Sequence, residues 1–309
     1  MSMICHRCDQ RAVIRLWQHR LQLCSEHYIE WFIKYTAQTI ERYHMLNQGE
    51  RIIVAVSGGK DSLAIWDVLQ RLGYSADGLY INLGISKDGD YSHHSLQHAQ
   101  AFACQHNLSL QVVDLIDQYG AGIPELSSRR HRSQKPCSTC GLVKRHIMNE
   151  AAQKGDYDAL VTGHNLDDEV SVLFSNTLSW DMEMISRQSP VLPAGLGFTR
   201  KLKPLCRFSE RETTAYALVN GIQYIEEECP FAEGASMLYY KGILNQMEEQ
   251  QRGLKLRFYS DFLKVRKMGQ LPSHNYKDAT GGDVTLCPQC GQPTSSGNLC
   301  SFCRLMNTP

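Results

Sequence analysis

Ten of the twelve cysteines in this chain fall into three groups, and the spacing in each group points to a chemistry. Cys5-x2-Cys8-x15-Cys24-x2-His27 lies at one end and Cys287-x2-Cys290-x9-Cys300-x2-Cys303 at the other. In both, two short knuckles each present a pair of ligands, and the loop between brings the pairs together. That is the pattern of tetrahedral zinc with no open position, which serves structure and not catalysis. Units this small have little core, so the metal supplies much of their folding energy. Two redox dithiols, or a cluster site, are the competing readings.

The third group differs. Cys137-Ser138-Thr139-Cys140 follows Pro136 and has no second pair nearby; Cys229, before Pro230, is its one credible partner in the middle of the chain. Three thiolates around one centre leave a position open. For zinc this makes a Lewis acid, and for a [4Fe–4S] cluster it leaves one iron free for an outside ligand. Three unrelated thiols, or a disulfide-exchange pair, are the bland alternative. Spacing alone does not choose among them.

Ser57-Gly58-Gly59-Lys60-Asp61-Ser62 is a phosphate-binding candidate. Two glycines let the backbone curl so that its N–H groups point inward, and a following helix adds positive potential at its start. Lys60 brings a point charge, Ser57 and Ser62 bring hydroxyls, and Asp61 can meet magnesium or the nucleotide. The spacing is not that of the common mononucleotide loop, Gly-x4-Gly-Lys-[Ser/Thr].

Gly163-His164-Asn165-Leu166-Asp167-Asp168-Glu169 is a polar loop directly after an apolar run, where catalytic groups tend to lie. One of Asp167 and Asp168 is expected to cap the next helix. Two basic runs bracket the central cysteines, Ser128 to Lys135 and Gly141 to Arg145, and are candidates for phosphate-backbone contacts.

Positioning these groups takes an alternating scaffold. Apolar runs near 51–56, 78–83, 108–115 and 159–162 read as buried strands. Helical stripes follow them: one carries Ile65, Val68, Leu69 and Leu72 up to Gly73, and others cover 92–106 and 141–154. Strand–helix alternation builds a parallel sheet covered on both faces, with its ligand crevice outside the carboxyl ends of the strands. Further on, Ser209-Glu210-Arg211-Glu212 reads as a cap and first turn. A helical region spans about 236–267, and Pro272 to Asp283 reads as a linker.

At 309 residues the chain has room for roughly two domains of about 150 residues each. With 42% hydrophobic and 21% charged residues it is neither disordered nor fibrous. Its 32 basic and 32 acidic residues cancel, so a polyanionic partner must be met by local patches. No run approaches the ~20 apolar residues of a spanning helix. The first ten residues carry cysteines and charges where a signal peptide would be apolar. A cytoplasmic protein with no membrane partner is expected, and in that reducing setting clustered thiols mean metal or redox chemistry.

The Ser57–Ser62 loop resembles the pyrophosphate loop (PP-loop) of the N-type ATP pyrophosphatases. Those enzymes cleave ATP between the α and β phosphates and attach AMP to an oxygen to make it a leaving group. The likeness implies that Ala55 and Ile81 lie near the adenine. Taken in order, the Cys/His finger, SGGKDS, CSTCGLVKR, GHNLDDE, ECP and CPQC…CSFC span nearly the whole chain. Together they resemble the tRNA 2-thiolation enzymes of the TtuA type, in the TtcA/TtuA family. The implied fold class is α/β: a parallel-sheet PP-loop core flanked by N- and C-terminal zinc-finger units. The implied divisions are a zinc finger and helix over 1–45, the catalytic domain over 46–225, a helical extension and linker over 226–280, and a zinc ribbon over 281–309.

The resemblance implies that Cys137, Cys140 and Cys229 hold a [4Fe–4S] cluster and that the two terminal sets hold two Zn²⁺ ions. It implies ATP with Mg²⁺ at Ser57, Gly58, Gly59, Lys60, Asp61, Ser62, Lys144 and Gly163. Lys60 and Lys144 become the catalytic lysines, with Asp168 the acidic partner of Lys144 and Asp167 the second choice. The substrate would be 5-methyluridine in the T loop of tRNA, thiolated at C2. The sulfur donor would be a small ubiquitin-like protein ending in a thiocarboxylate, or sulfide, and the enzyme would be a homodimer.

Twenty-one glutamines and a modest charge content are unlike hyperthermophile proteins, so thiolation of a wobble uridine, as by the similar Ncs6/Ctu1 enzymes, is the alternative. Two rivals lie outside this chemistry. A PP-loop amidating or lysine-ligating synthetase would need no three-cysteine site. A non-catalytic zinc-dependent nucleic-acid-binding module would need no intact phosphate loop.

Overall fold

The structure, a computed structural model, describes residues 3–86, 90–129, 136–232, 236–271, 284–295 and 298–308. Two short antiparallel strands, β1 (Ile14–Leu16) and β2 (Leu21–Leu23), pair with Ile14 opposite Leu23 and lead into α1 (Ser25–Arg42). Tyr28, Phe32, Thr36, Thr39 and Ile40 are buried along one stripe of α1, so this helix needs a partner to cover its apolar face.

The core then alternates strand and helix: β3 (Ile52–Val56), α2 (Lys60–Arg71), β4 (Ala76–Asn82), α3 (Tyr91–His106) and β5 (Leu110–Asp114). Short helices α4 (Leu115–Tyr119) and α5 (Ile123–Ser128) lead to α6 (Pro136–Lys154) and β6 (Ala159–Thr162). The second half comprises α7 (Leu166–Leu178), α8 (Met182–Arg187), β7 (Val191–Leu192), β8 (Arg200–Leu202) and α9 (Glu210–Val219). The sheet order is β5-β4-β3-β6-β8-β7, parallel except for β7, which runs antiparallel at the edge.

This topology follows from the sequence of β3. Ile52, Val54 and Val56 belong to the apolar core on one face of the sheet and Ile53 to the core on the other. A strand buried on both faces belongs in the middle of a parallel sheet. From β3 the chain winds outward one way to β4 and β5, then restarts at β6 on the other side. The reversal leaves a crevice at the carboxyl ends of β3 and β6, where such sheets bind ligands.

The partner of α1 is α9. Phe32 stacks on Tyr216 with ring centroids 4.1 Å apart and packs on Phe208 at 4.2 Å. Tyr28 donates its hydroxyl to the Glu212 carbonyl at 2.5 Å. Beyond the core, α10 (Ser236–Gln250) and α11 (Leu254–Lys267) pack on α7. The final unit has strands β9 (Thr285–Leu286) and β10 (Pro293–Thr294) and helix α12 (Ser301–Met306). Phe302 of α12 lies flat on His146 of α6, centroids 3.7 Å apart and planes 6° from parallel.

The four strands read from the sequence are present, with ends shifted by a residue or two. Three differences have physical causes. The helical run at 236–267 is two helices, because Gly253 adopts φ +83° between them. The helix expected from Gly141 begins at Pro136, a residue suited to a first helical position, so both central cysteines sit in its opening turns. Strands β7 and β8 are too short to leave a period in the sequence. The cap at Ser209 is a full capping box with Glu212. The linker read at Pro272 to Asp283 lies outside the described residues. Among those described, no helix is long and apolar enough to cross a membrane.

If α1 is held by its aromatic face, Phe32→Ala removes a ring that stacks on Tyr216 and packs on Phe208. A loss of about 3–5 kcal/mol in urea-induced unfolding is expected; a loss below about 1 kcal/mol would mean that α1 is not docked on α9.

Candidate active cleft and metal sites

At the carboxyl end of β3 the chain turns through Ser57 to Gly59 into α2. Gly58 has φ +73°, and a Cβ there would run into the Ser95 carbonyl of α3. Ser62 closes the loop: its hydroxyl accepts from the Ser57 amide at 3.1 Å and donates to the Gly59 carbonyl at 2.9 Å. At the carboxyl end of β6, Gly163 leaves so little room that an added Cβ would lie 2.7 Å from the Asp61 carbonyl carbon. The two glycine loops therefore touch backbone to backbone.

Between them lies a cleft of about 310 Å³. Of the residues read from the sequence, Ala55, Ser57, Asp61, Ser62, Ile81, Lys144, Gly163 and Asp168 line it. Gly58, Gly59 and Lys60 belong to the same loop and helix start but are not among the lining residues. The Lys60 ammonium turns to Asp61 at 3.2 Å and Glu210 at 3.0 Å. Burial disfavours that charge, but the two carboxylates outweigh it and hold the Lys60 pKa above its ordinary value.

The two aspartates divide their work. Asp168 makes a capping box with Asn165 and faces the cleft. Its ammonium partner is Lys241 of α10 at 2.7 Å, in place of the expected Lys144, and no motif in the chain pointed to Lys241. Burial would raise the Asp168 carboxyl, yet Lys241 and His164 hold it below its ordinary value. Asp167 is buried and turned the other way, taking the Lys255 ammonium at 2.6 Å and the Glu210 amide at 2.9 Å. Lys241 also meets Glu210 at 3.2 Å. The charges thus alternate through contact: Asp61, Lys60, Glu210, Lys241, Asp168.

Other groups complete the rim. Asp61 accepts from Thr213, and from Asn165 at 3.3 Å. Burial and the charge of Lys201 push His164 down to about 4, leaving a neutral ring 2.8 Å from the Thr162 hydroxyl. Tyr91 lines the cleft, and its phenol is pushed up to about 12 by burial and by the neighbouring thiols of Cys229 and Cys140.

That tyrosine links the cleft to the central cysteines. Cys137, Cys140 and Lys144 recur along α6 at spacings of three and four, so they share one helix face. Burial raises the Cys140 thiol; the Lys144 charge opposes this, while Cys229 and Cys137 add to it. Cys137 hydrogen-bonds the Phe231 carbonyl at 3.1 Å, which ties the start of α6 to the Cys229 segment. The three thiols are thus neighbours. Even so, among the described residues only the two terminal sets gather their ligand atoms within 4.8 Å of one another. Single-ion crowding is absent, and a cluster that spreads three thiolates over three irons does not require it. The donor set fits such a cluster.

The terminal sets meet the tighter requirement. Cys8 and Cys24 sulfurs are 3.7 Å apart, and His27 Nδ1 lies 3.3–3.5 Å from Cys5, Cys8 and Cys24. Cys290 and Cys300 are 3.7 Å apart, in a set completed by Cys287 and Cys303. A tetrahedral zinc with Zn–S of about 2.3 Å and Zn–N of about 2.0 Å sets edges of roughly 3.8 and 3.5 Å. Of the basic run before the central cysteines, Ser128 and Arg129 are described, and Arg129 pairs with Glu125 at 2.8 Å; residues 130–135 lie outside the described ones.

Comparison with known proteins matches two parts of the chain to known families. The PP-loop domain family matches residues 30–231, and the family described as the N-terminal LIM domain of 2-thiouridine synthetase TtuA matches residues 4–29. The chain is 49% identical over 306 residues to a tRNA-5-methyluridine(54) 2-sulfurtransferase of Thermus thermophilus, covering 98% of this chain and 91% of that one. It is 43% identical to the enzyme of that name from Pyrococcus horikoshii, over 98% and 93% of the two chains. Among solved structures it resembles the U34-tRNA thiolase NcsA from Methanococcus maripaludis, solved with its [4Fe-4S] cluster. That match has TM-score 0.79 and 20% identity over 99% and 96% of the chains, a likeness of fold.

The close approach at Gly58 carries a direct test. Gly58→Ala places a side chain at positive φ, costing about 1–2 kcal/mol, and drives it into the α3 backbone. ATP affinity measured by calorimetry is expected to fall at least about tenfold, with bound metal unchanged; wild-type affinity would show that the loop does not hold the nucleotide.

Proposed function

Because the chain belongs to the PP-loop tRNA 2-sulfurtransferases, we propose that it adenylates a uridine of tRNA at O2 and exchanges that oxygen for sulfur. One observation carries this reading: a single helix face bears Cys137, Cys140 and Lys144, and its lysine enters the cleft formed by the phosphate loop.

In this reading ATP lies along the carboxyl ends of β3 and β4, its adenine near Ala55 and Ile81 and its phosphates, with Mg²⁺, at Ser57 to Ser62. The O2 atom of uridine attacks the α phosphorus, and the bond to the bridging oxygen of the β phosphate breaks. Lys60 and the loop amides take up the charge of the departing pyrophosphate. Lys144 faces the developing charge at the α phosphate. Asp168, kept ionised by Lys241, and Asp61 are the carboxylates within reach of Mg²⁺. The site works by positioning and fixed charge, and the target base must leave its loop to reach it.

A [4Fe–4S] cluster held by Cys137, Cys140 and Cys229 would supply, when bound, one iron with an open coordination position for a sulfur ligand. Sulfur enters at C2 of the adenylated uridine, the C2–O bond breaks and AMP leaves. The substrate is 5-methyluridine in the T loop, in keeping with the names of the relatives at 49% and 43% identity. The donor is the thiocarboxylate end of a small ubiquitin-like protein, or sulfide. Two zinc ions per chain hold the finger and ribbon, and the enzyme acts as a cytoplasmic homodimer. An amidating synthetase would leave the central cysteines without a purpose, and a non-catalytic zinc module would leave the complete phosphate loop without one.

Two variants separate the halves of the reaction. Lys60→Ala is expected to abolish tRNA-dependent pyrophosphate release while keeping iron and two zinc ions per chain by elemental analysis. Cys137→Ala is expected to lose iron while retaining ATP binding and zinc. Normal sulfur transfer by Cys137→Ala would overturn the cluster-based account.

A further inference from the structure

A second cavity, larger than the cleft at about 490 Å³, lies between α6, the β7–β8 edge and the C-terminal ribbon. Its walls are fixed. Asn149 donates to the Gln292 side chain at 3.2 Å, Gln292 donates to the His146 carbonyl at 3.1 Å, and Phe302 stacks on His146. Among the described residues the lining includes Arg145, Arg187 and Lys201 and no aspartate or glutamate. Leu142, Leu192 and Phe198 add apolar surface. A size in this range, apolar walls and a few convergent polar groups describe a ligand site.

The cations inside it are not equally committed. Arg187 is held by Glu183. Neither the Lys201 ammonium nor the Arg145 guanidinium makes a hydrogen bond or ion pair with the described residues. Glu169, the acid whose charge Lys201 feels, is already taken by Lys203 at 2.7 Å and by the Tyr259 hydroxyl at 3.0 Å. Burial and the nearby Lys203 and Arg145 push the Lys201 ammonium down to about 8, the state of a charge with no counter-ion. A half-buried, unpaired cation is costly, and an incoming anion would relieve that cost.

The position of the cavity says which anion. Met148 lines both this cavity and the nucleotide cleft, so the two adjoin at that side chain. An RNA strand whose target base is extruded into the cleft must pass its neighbouring phosphates over the adjoining surface. With no net charge on the chain, that strand has to be met by local cations. We propose that this cavity is a second tRNA subsite, in which Lys201, with Arg145 at the rim, holds a backbone phosphate while Phe198 and its apolar neighbours receive a base flanking the target. The proposal rests on the tRNA reading above and deepens it.

Labelled tRNA binding across a salt series tests it, using the full chain with its metals. Lys201→Gln is expected to weaken binding about five- to tenfold and to reduce the slope of log K against log salt by roughly 0.7–0.9, one phosphate contact. Lys201→Arg should restore both, and ATP affinity and zinc content should match wild type in both variants. Wild-type affinity and slope in Lys201→Gln would overturn the subsite. That holds even if sulfur transfer from a protein donor slowed, an outcome that would assign the cavity to the donor. A wild-type chain that bound no tRNA would instead overturn the proposed function itself.

Discussion

Two polypeptide backbones can meet only where no side chain intervenes, and this site depends on that contact. Gly163 at the end of β6 lies against Asp61 at the start of α2, and Gly58 lies under Ser95 of α3. These approaches pull together the first strands on either side of the reversal in a parallel sheet. Once they touch, the helix start of α2, the polar loop before α7 and the open face of α6 share one small volume. The cleft is a consequence of missing side chains as much as of those present.

Around that contact the charges are arranged to wait for an anion. Lys60 is shared between Asp61 and Glu210, and Lys241 between Glu210 and Asp168. In the proposed reaction a triphosphate with its metal would take Lys60 from Glu210 and offer its cation to Asp168, so that partners exchange without leaving a charge uncovered. Low polarity makes such exchanges strong and makes an uncompensated charge costly. Lys241 reaches in from α10, and Lys255 of α11 pins Asp167 from behind. The helical extension therefore braces the acidic loop of the site from outside the cleft.

What the sequence made legible is what short spacing encodes. Cys5, Cys8, Cys24 and His27, and the closing four cysteines, converge because each knuckle carries its own geometry. Ser57 to Ser62 announced a phosphate loop because a strand, two glycines and a helix start occur within a dozen residues. Other members depend on how distant elements pack. Nothing near Lys241 or Lys201 in the sequence marks them; Lys241 reaches Asp168 because α10 lies on α7, and Lys201 lines a cavity together with residues of the ribbon. Glu210 read as a helix cap and turned out to hold the phosphate-loop lysine as well. His164 and Asn165 were inside a recognised motif, but their partners, Thr162 and Asp61, show only in three dimensions.

The central claim is that uridine activation and sulfur entry occur in one cleft joined by α6. The measurement that meets it most directly is nucleoside mass spectrometry of tRNA incubated, without oxygen, with the iron-loaded protein, ATP and sulfide. The account predicts 2-thio-5-methyluridine in the T loop, with one AMP released for each sulfur gained. Release of AMP with no thionucleoside, or sulfur found only at the wobble position, would contradict it.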